Sequence, residues 1–202
     1  MAKLRAEPLR RAEIVQATIH EIGRRGSLEV TVAQIAQRAG VSSALAHHYF
    51  GSKEQIFVAT MRHVMTLFGV EARQSLAGAR TPRERLKAVI DASFAPDSFR
   101  REVVSAWLNF YVLAQTDSDA RRLLNVYHRR LNSNLLHDLR PIIGNARAAT
   151  VAQSLAALID GLYLRAALTR GAEDFDHALD PAAAVALVME TFGHEIGACD
   201  EA

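Results

Sequence analysis

The sequence has little of what secreted, membrane and redox proteins need. Its single cysteine, Cys199, excludes an internal disulfide and any paired-cysteine metal or redox site. We find no uninterrupted apolar run that approaches the ~20 residues of a membrane span. Residues 1–11 carry four basic side chains, but no apolar stretch like that of a secretory signal follows them. We therefore expect a cytoplasmic protein with no membrane partner.

Strand patterns and catalytic motifs are equally scarce. Only 6% of the residues are aromatic, and few β-branched runs alternate with a period of two, so strands are not indicated. The chain contains no GxSxG, HExxH or phosphate-loop motif. We expect no enzymatic activity, no cofactor and no metal ion.

Positive charge is concentrated in the first quarter of the chain. Residues 1–55 hold eight basic and five acidic residues, a net charge of +3, whereas residues 56–202 hold 16 and 17, a net charge of −1. This asymmetry favours an anionic partner for the N-terminal part.

Helix signals recur along the whole chain. Thr31, Ser52 and Thr81 are each followed three positions later by Gln or Glu, the pattern of a capping box at a helix start. Glycines occupy positions where helices should stop, at Gly26, Gly40, Gly144 and Gly171.

These signals predict an all-α protein of nine helices. The first three form an N-terminal domain, residues 1–55, and the other six form a larger body, residues 56–202. The helices are expected near 8–25, 31–38, 42–49, 52–78, 82–94, 99–115, 118–139, 146–170 and 181–197.

Residues 31–50 read TVAQIAQRAGVSSALAHHYF and carry the most specific pattern. A capped helix has Ile35, Ala36 and Ala39 on its inner face, and Gly40 allows a tight turn, where a side chain would crowd or force a strained backbone. Leu45 and Ala46 then supply the inner face of a second helix. This arrangement predicts a helix-turn-helix, whose second helix enters the major groove of DNA.

Short or hydrogen-bonding side chains on the outer face of the second helix suit base edges, and polar residues at its borders suit phosphates. Adjacent residues point about 100° apart on a helix, so His47 and His48 do not easily share a metal ion. The predicted DNA-binding residues are Thr31, Ser42, Ser43, Ala44, His47, His48, Tyr49 and Lys53.

The stretch TVAQIAQRAGVSSALAHHYFGSKEQIF resembles the N-terminal domain of the TetR family of bacterial repressors, with its HYF triplet followed three residues later by Lys53. The resemblance implies a homodimer built from the last two helices, near 146–170 and 181–197. It also implies that a small molecule in the body alters the spacing of the two DNA-reading heads. From the residues alone, the apolar stripes of those two helices either close the core or also pair with a second copy.

Four further segments, MAKLRAEPLRRAEIVQAT, SAWLNFY, RRLNSNLLHDLR and LAALIDGLYLRAAL, are similar to the choline-responsive branch of that family. This branch represses glycine betaine synthesis, so the resemblance implies release from operator DNA by choline or a related quaternary amine. Tyr111 and Tyr163 stand where that branch carries tryptophan, and a repressor that answers a different small molecule is the alternative.

The body offers candidate contacts for a small cation. Trp107, Phe110 and Tyr111 have the i, i+3, i+4 spacing of one helix face, and Asp160 and Tyr163 share another. Aromatic faces and a carboxylate suit a quaternary ammonium group, which attracts ring quadrupoles but makes no ordinary hydrogen bonds. The alternative is that the rings fill the core and Asp160 pairs with a basic residue across a dimer interface.

Overall fold

The computed structural model describes residues 2–168 and 180–197. These residues contain nine α-helices and no strand. The prediction of an all-α protein is confirmed. Cys199 and the predicted helix stop at Gly171 lie outside the described residues. The helices are α1 (Ala2–Arg25), α2 (Val32–Arg38), α3 (Ser43–Phe50), α4 (Lys53–Ala77), α5 (Pro82–Ser93), α6 (Arg101–Thr116), α7 (Ser118–Ile143), α8 (Asn145–Leu168) and α9 (Pro181–Gly197).

Two predicted helix boundaries were wrong, both near prolines. Helix α1 begins at Ala2 and contains Pro8, whereas its predicted start was residue 8. Helix α7 continues through Pro141 to Ile143, beyond its predicted end at residue 139. Each proline lacks an amide donor and so costs its helix one backbone hydrogen bond. Pro8 lies in the N-terminal half of α1, and Pro141 lies in the last turn of α7.

Complete capping boxes form at two of the three helix starts where the sequence predicts them. The Thr31 hydroxyl accepts from the Gln34 amide at 3.2 Å, and the Thr31 amide donates to the Gln34 side chain at 2.9 Å. Thr81 forms the same reciprocal pair before α5. At the start of α4, Ser52 accepts from the Gln55 amide at 3.2 Å, but the Gln55 side chain donates to Asp119. The third capping box is therefore only half formed, because the Gln55 side chain is hydrogen-bonded to Asp119.

The chain divides into two compact units, Met1–Met65 with Arg101–Leu124 (unit 1) and Thr66–Arg100 with Asn125–Ala202 (unit 2). The predicted boundary at residue 55 separates functional domains, and it stays a prediction. Unit 1 has a buried aliphatic core from α1 to α4 and α6, which includes Ile14, Ile19, Ile22, Val30, Ile35, Ile56, Met61 and Val104.

Helices α1 and α6 approach closely within unit 1, at Gly23. A Cβ atom at Gly23 would lie 2.7 Å from the Cα atom of Glu102 and 2.5 Å from its Cγ atom. Because one of these neighbours is backbone, any side chain at this position would push the two helices apart. Position 23 thus requires glycine because there is no room for a side chain. The sequence pattern did not reveal this requirement.

Unit 2 buries the apolar stripes of its last two helices. Most of the apolar stripe positions of α8 and α9 are buried within the chain, at Leu155, Ile159, Leu162, Val188 and Phe192. Leu158 and Val185 are half-buried. Other apolar side chains of the same helices stay exposed, at Leu164, Leu168 and Leu187. The predicted stripes therefore close the core of this unit.

Helix α8 is long and apolar enough to cross a membrane by length and composition alone, contrary to our expectation from the sequence. Seven of its residues are buried, and the core helix of a globular protein passes the same test. The length and composition of α8 are therefore weak evidence for a membrane span.

The glycine contact between α1 and α6 predicts a loss of stability on substitution. We expect Gly23→Ala to lower the free energy of unfolding by about 1–3 kcal/mol, because the added methyl overpacks the contact with Glu102. Chemical denaturation measures this change. The matched control is Gly69→Ala in α4, where the added Cβ makes only an ordinary contact at 3.5 Å, and where better helix propensity should raise stability by up to ~1 kcal/mol. Equal effects of the two substitutions would contradict the prediction.

Candidate DNA-binding and ligand-binding sites

The turn between α2 and α3 is set by the backbone conformation of Gly40. Its φ of +66° lies in the left-handed region that favours glycine. The Gly40 amide donates to the Gln37 carbonyl at 3.2 Å and the Val41 amide donates to the Ala36 carbonyl at 3.0 Å, the pair of bonds of a Schellman motif. A Cβ atom at Gly40 would meet nothing within 4 Å. The sequence suggested that a side chain at position 40 would either crowd its neighbours or strain the backbone. Crowding is wrong, and the left-handed backbone conformation is the reason that glycine is needed.

The inner faces of α2 and α3 pack as predicted at their central positions. Ile35, Ala36 and Ala46 are 1% exposed or less. Ser42 caps α3, because its hydroxyl accepts a hydrogen bond from the Leu45 amide at 3.1 Å. Buried small residues on both helices hold α3 against α2 and leave its opposite face to solvent.

The predicted DNA-binding residues lie on the surface of unit 1. Thr31, Ser42, Ala44, His47 and His48 are exposed. Ser43, Tyr49 and Lys53 are half-buried. The face of α3 that would meet base edges is therefore available to a partner.

Side-chain contacts also order the end of α3. The His47 Nδ1 atom lies 2.9 Å from the Gly51 carbonyl oxygen, which holds the imidazole against the end of its own helix. The His48 and Tyr49 rings lie 5.6 Å apart. The Lys53 ammonium lies 5.6 Å from the centre of the Phe57 ring, a cation–π distance.

An arginine that sequence analysis missed joins α1 to the end of α3. The Arg11 Nη1 atom donates to the Tyr49 carbonyl at 2.5 Å, and its guanidinium lies 4.5 Å from the centre of the Phe50 ring. The carbonyls of a last helical turn lack partners within the helix, so Arg11 satisfies one of them. The local basic charge around position 11 was the only sequence signal for this contact.

A buried carboxylate fastens α2 to α1. The Glu21 side chain is 5% exposed and accepts from Arg24 at 2.9 Å and from Arg38 of α2 at 2.5 Å. Hydrogen bonds from Arg24, together with those from Arg38, lower the pKa of Glu21 below its ordinary value of 4.5, although burial opposes the shift. The ionised carboxylate thus stabilises the arrangement that presents α3.

The three predicted aromatic contacts of α6 lie together in unit 1. The Trp107 ring centre is 6.2 Å from that of Phe110 and 6.2 Å from that of Tyr111. Trp107 and Phe110 are buried, and Tyr111 is half-buried. The three rings form one packed group with Tyr111 as its more accessible member, and their role as ligand contacts stays a prediction.

The predicted residues of α8 lie in unit 2, where Tyr163 belongs to an aromatic cluster. Its ring stacks on Phe94, with centres 5.7 Å apart, and meets the edge of Phe99 at 5.3 Å. Its hydroxyl donates to the Ser93 carbonyl. Burial raises the pKa of Tyr163, and the nearby Asp160 carboxylate adds to the shift. The partners of Tyr163 were not predicted from the sequence.

Asp160 lines an open cleft of about 590 Å³ between α7 and α8. Its carboxylate lies 3.4 Å from the Nε2 atom of His128, within the same unit. The half-buried carboxylate is therefore next to a basic side chain of its own chain, and it faces space large enough for a small molecule. The other residues that line this cleft are Arg129, Asn132, Leu136, Ala149, Gln153, Ala156 and Ala157.

A helix-turn-helix with an exposed second helix defines a class of proteins that bind DNA through the major groove. Residues 14–60 match the family model described as bacterial regulatory proteins, tetR family. Residues 82–194 match the model described as BetI-type transcriptional repressor, C-terminal. The chain belongs to the BetI-type branch of the TetR family, and it is a DNA-binding transcriptional repressor.

Curated relatives agree with this family, and a solved structure agrees with the fold. The HTH-type transcriptional regulator BetI of Brucella anthropi is 50% identical over 94% of this chain and 95% of its own. That of Agrobacterium fabrum is 46% identical over 97% and 92%. A Saccharomonospora viridis transcriptional regulator, solved in complex with choline, shares the fold with a TM-score of 0.78 and 24% identity over 92% of this chain and 96% of that one.

The Glu21 contacts predict a pH-dependent stability. A carboxyl whose pKa is lowered in the folded state stabilises the fold above its ordinary pKa and loses that contribution as the pH falls through the folded value. We expect wild type to exceed Glu21→Gln in stability at neutral pH, and the difference to shrink as the pH falls below 4.5. Urea denaturation across this range measures it. Glu13→Gln, which removes an exposed partner of Arg10, should change stability little. A difference between wild type and Glu21→Gln that is independent of pH would refute the electrostatic account.

Proposed function

We propose that the chain represses the synthesis of glycine betaine from choline, and that choline or a related quaternary amine releases it from its operator. The observation that carries the proposal is the BetI-type match over residues 82–194. This range includes the aromatic group of α6 and the Asp160 carboxylate. The protein would act in the bacterial cytoplasm, where its DNA lies.

For DNA, we propose that α3 reads base edges and that residues at its borders bind phosphates. Ser43, Ala44, His47 and His48 would face the bases, while Ser42 caps the helix at the same surface. Thr31, Tyr49 and Lys53 would contact the backbone. Two copies of α3 in a dimer would lie about 34–36 Å apart to enter successive major grooves of a near-palindromic site.

The proposed homodimer forms through α8 and α9. Leu164 and Leu168 on α8 and Leu187 on α9 are 45%, 67% and 41% exposed. Apolar side chains left outside a core favour burial against another surface. The buried stripes of the same helices keep this surface rigid.

For the ligand, we propose two sets of contacts, each taken by itself. In unit 1 the α6 aromatic group would supply cation–π contacts, and in unit 2 Asp160 would neutralise the charge of a cation, with Tyr163 as a further contact. Each ring face over a quaternary ammonium contributes ~0.5–2 kcal/mol. Tyr111 is the ring of the α6 group with the most exposure. Contacts of these two kinds select for positive charge and need no directional hydrogen bond.

The proposed response to ligand runs along α6 within unit 1. The helix that carries Trp107 also contacts α1, where the Asn109 side chain donates to the Gly26 carbonyl at 3.3 Å and Glu102 abuts Gly23. A ligand that favours a shifted α6 would therefore move α1 and with it α3. A coupling free energy of ~1–3 kcal/mol would change operator affinity from several-fold to over a hundredfold.

A second candidate is a repressor of the same fold that answers another small molecule. The observation in its favour is Tyr163, whose ring packs on Phe94 and Phe99 and whose hydroxyl is bonded to Ser93. A ring that is already packed and hydrogen-bonded in this way has less surface left for a cation–π contact with a ligand. Calorimetric titration with choline and with its uncharged carbon isostere distinguishes the two, because only a cation site prefers choline.

Lys53→Ala tests the phosphate contact. We expect weaker binding to all duplexes and a salt dependence of log K that is shallower by about two for the dimer, because one counterion-releasing contact is lost from each head. Fluorescence anisotropy at several salt concentrations measures both. Lys87→Ala removes the same charge from an exposed position of unit 2 and should leave the slope unchanged. An unchanged slope for Lys53→Ala would remove this residue from the DNA interface.

Asp160→Asn tests the ligand contact while keeping the side-chain size. We expect operator binding to persist but choline to release the protein less readily, since the neutral amide no longer balances the cation. Calorimetry should show weaker binding of choline and unchanged binding of the uncharged isostere. The control is Asp97→Asn, a carboxylate of unit 2 that is 94% exposed. If both variants bind choline as wild type does, Asp160 serves only its pair with His128.

A further inference from the structure

His47 and Gly51 exchange two hydrogen bonds at the end of α3. The Gly51 amide donates to the His47 carbonyl at 2.7 Å, and the His47 Nδ1 atom lies 2.9 Å from the Gly51 carbonyl oxygen. The φ of Gly51, +83°, is in the left-handed region and lets its carbonyl turn back towards the helix. One ring nitrogen of His47 is thus held by the backbone, while the residue stays exposed.

The bond to Gly51 determines which ring nitrogen of a neutral His47 carries the proton. A carbonyl oxygen only accepts hydrogen bonds, so Nδ1 must be the N–H donor. In a neutral imidazole the other nitrogen, Nε2, then has a lone pair and no proton. Nε2 points away from Nδ1 in the ring. The atom that His47 offers to a partner is therefore a hydrogen-bond acceptor.

An acceptor on this face of α3 discriminates among the chemical groups of duplex DNA. Phosphate oxygens, guanine N7 and O6 and thymine O4 are themselves acceptors, so their lone pairs repel that of Nε2. The major groove offers two kinds of donor, the N6 amino group of adenine and the N4 amino group of cytosine. A neutral His47 in this tautomer therefore suits a base edge with an amino group, and it does not suit a phosphate.

We propose that His47 determines operator specificity by accepting, through Nε2, a hydrogen bond from the amino group of one adenine or cytosine in each half-site, an inference that rests on the DNA-binding role of α3 proposed above. The Ser43 hydroxyl on the same helix can donate or accept, so it tolerates either kind of base edge. The bond to Gly51 leaves His47 only one of these roles. The backbone at the end of α3 thus sets one element of the operator sequence.

Nitrogen NMR of the full-length protein with isotope-labelled histidine tests the tautomer directly. At about pH 8.5, well above the ordinary pKa of imidazole, the nitrogen shifts distinguish a protonated ring nitrogen from an unprotonated one. We expect the Nδ1 signal of His47, assigned by its loss in His47→Gln, to be that of the protonated nitrogen. A signal from the Nε2–H tautomer would overturn the inference without bearing on the DNA-binding role of α3.

A coupling measurement on DNA tests the contact itself. The wild type first selects a duplex from a random-sequence library. Each adenine or cytosine of one half-site is then replaced by its analogue without the amino group, purine or pyrimidinone. We expect one replacement to weaken wild-type binding roughly two- to tenfold more than it weakens binding of His47→Ala, because that variant has already lost the acceptor. Fluorescence anisotropy at the same pH measures both affinities.

The matched control is His137→Ala, which removes an imidazole whose side chain is 72% exposed in unit 2. We expect this variant to respond to the replacement as the wild type does. If it also loses the coupling, the inference is overturned, because removal of any imidazole would then explain the result. Equal losses for the wild type and His47→Ala at every adenine and cytosine would overturn it too, while selection of a duplex still supports the role of α3. Failure of the wild type to select any duplex would overturn both proposals.

Discussion

The turn at Gly40 is the constraint on which the surface proposed to face DNA depends. A left-handed residue at this point ends α2 and directs the chain into α3, and two backbone hydrogen bonds hold that geometry. The buried Glu21 carboxylate then ties α2 to α1, and Arg11 ties α1 to the end of α3. The three contacts connect α1, α2 and α3 in a closed ring, so the outer face of α3, the proposed recognition helix, is presented by a well-supported frame.

Helix α6 combines two roles that the sequence treats separately. One part of it carries the aromatic group, and another packs on α1 through Glu102 and Asn109. A ligand needs a differential contact with two states to shift an equilibrium between them. In the proposed mechanism the same helix would supply the ring contacts to the ligand and would touch the helix that supports α3, so the response to ligand would not need a long chain of intermediate contacts.

Local signals explain what could be predicted. Thr31, Thr81 and Gly40 act through atoms a few residues away, so their patterns gave the helices and the turn. Gln55, Glu21 and Tyr163 act through partners distant in sequence, and nothing in their local pattern specifies those partners. The exposure of the α3 face followed from helix periodicity. The surroundings of the ligand-binding candidates depended on tertiary packing, and the sequence did not reveal them.

The contact at Gly23 has a mechanical consequence. Where long side chains separate two helices, a small displacement of one is absorbed by rotamer changes in the layer between them. At Gly23 that layer is missing, since the glycine meets the backbone of Glu102 directly. The joint between α1 and α6 therefore lacks a side-chain layer that could absorb a small displacement, so we expect a movement of one helix axis to move the other.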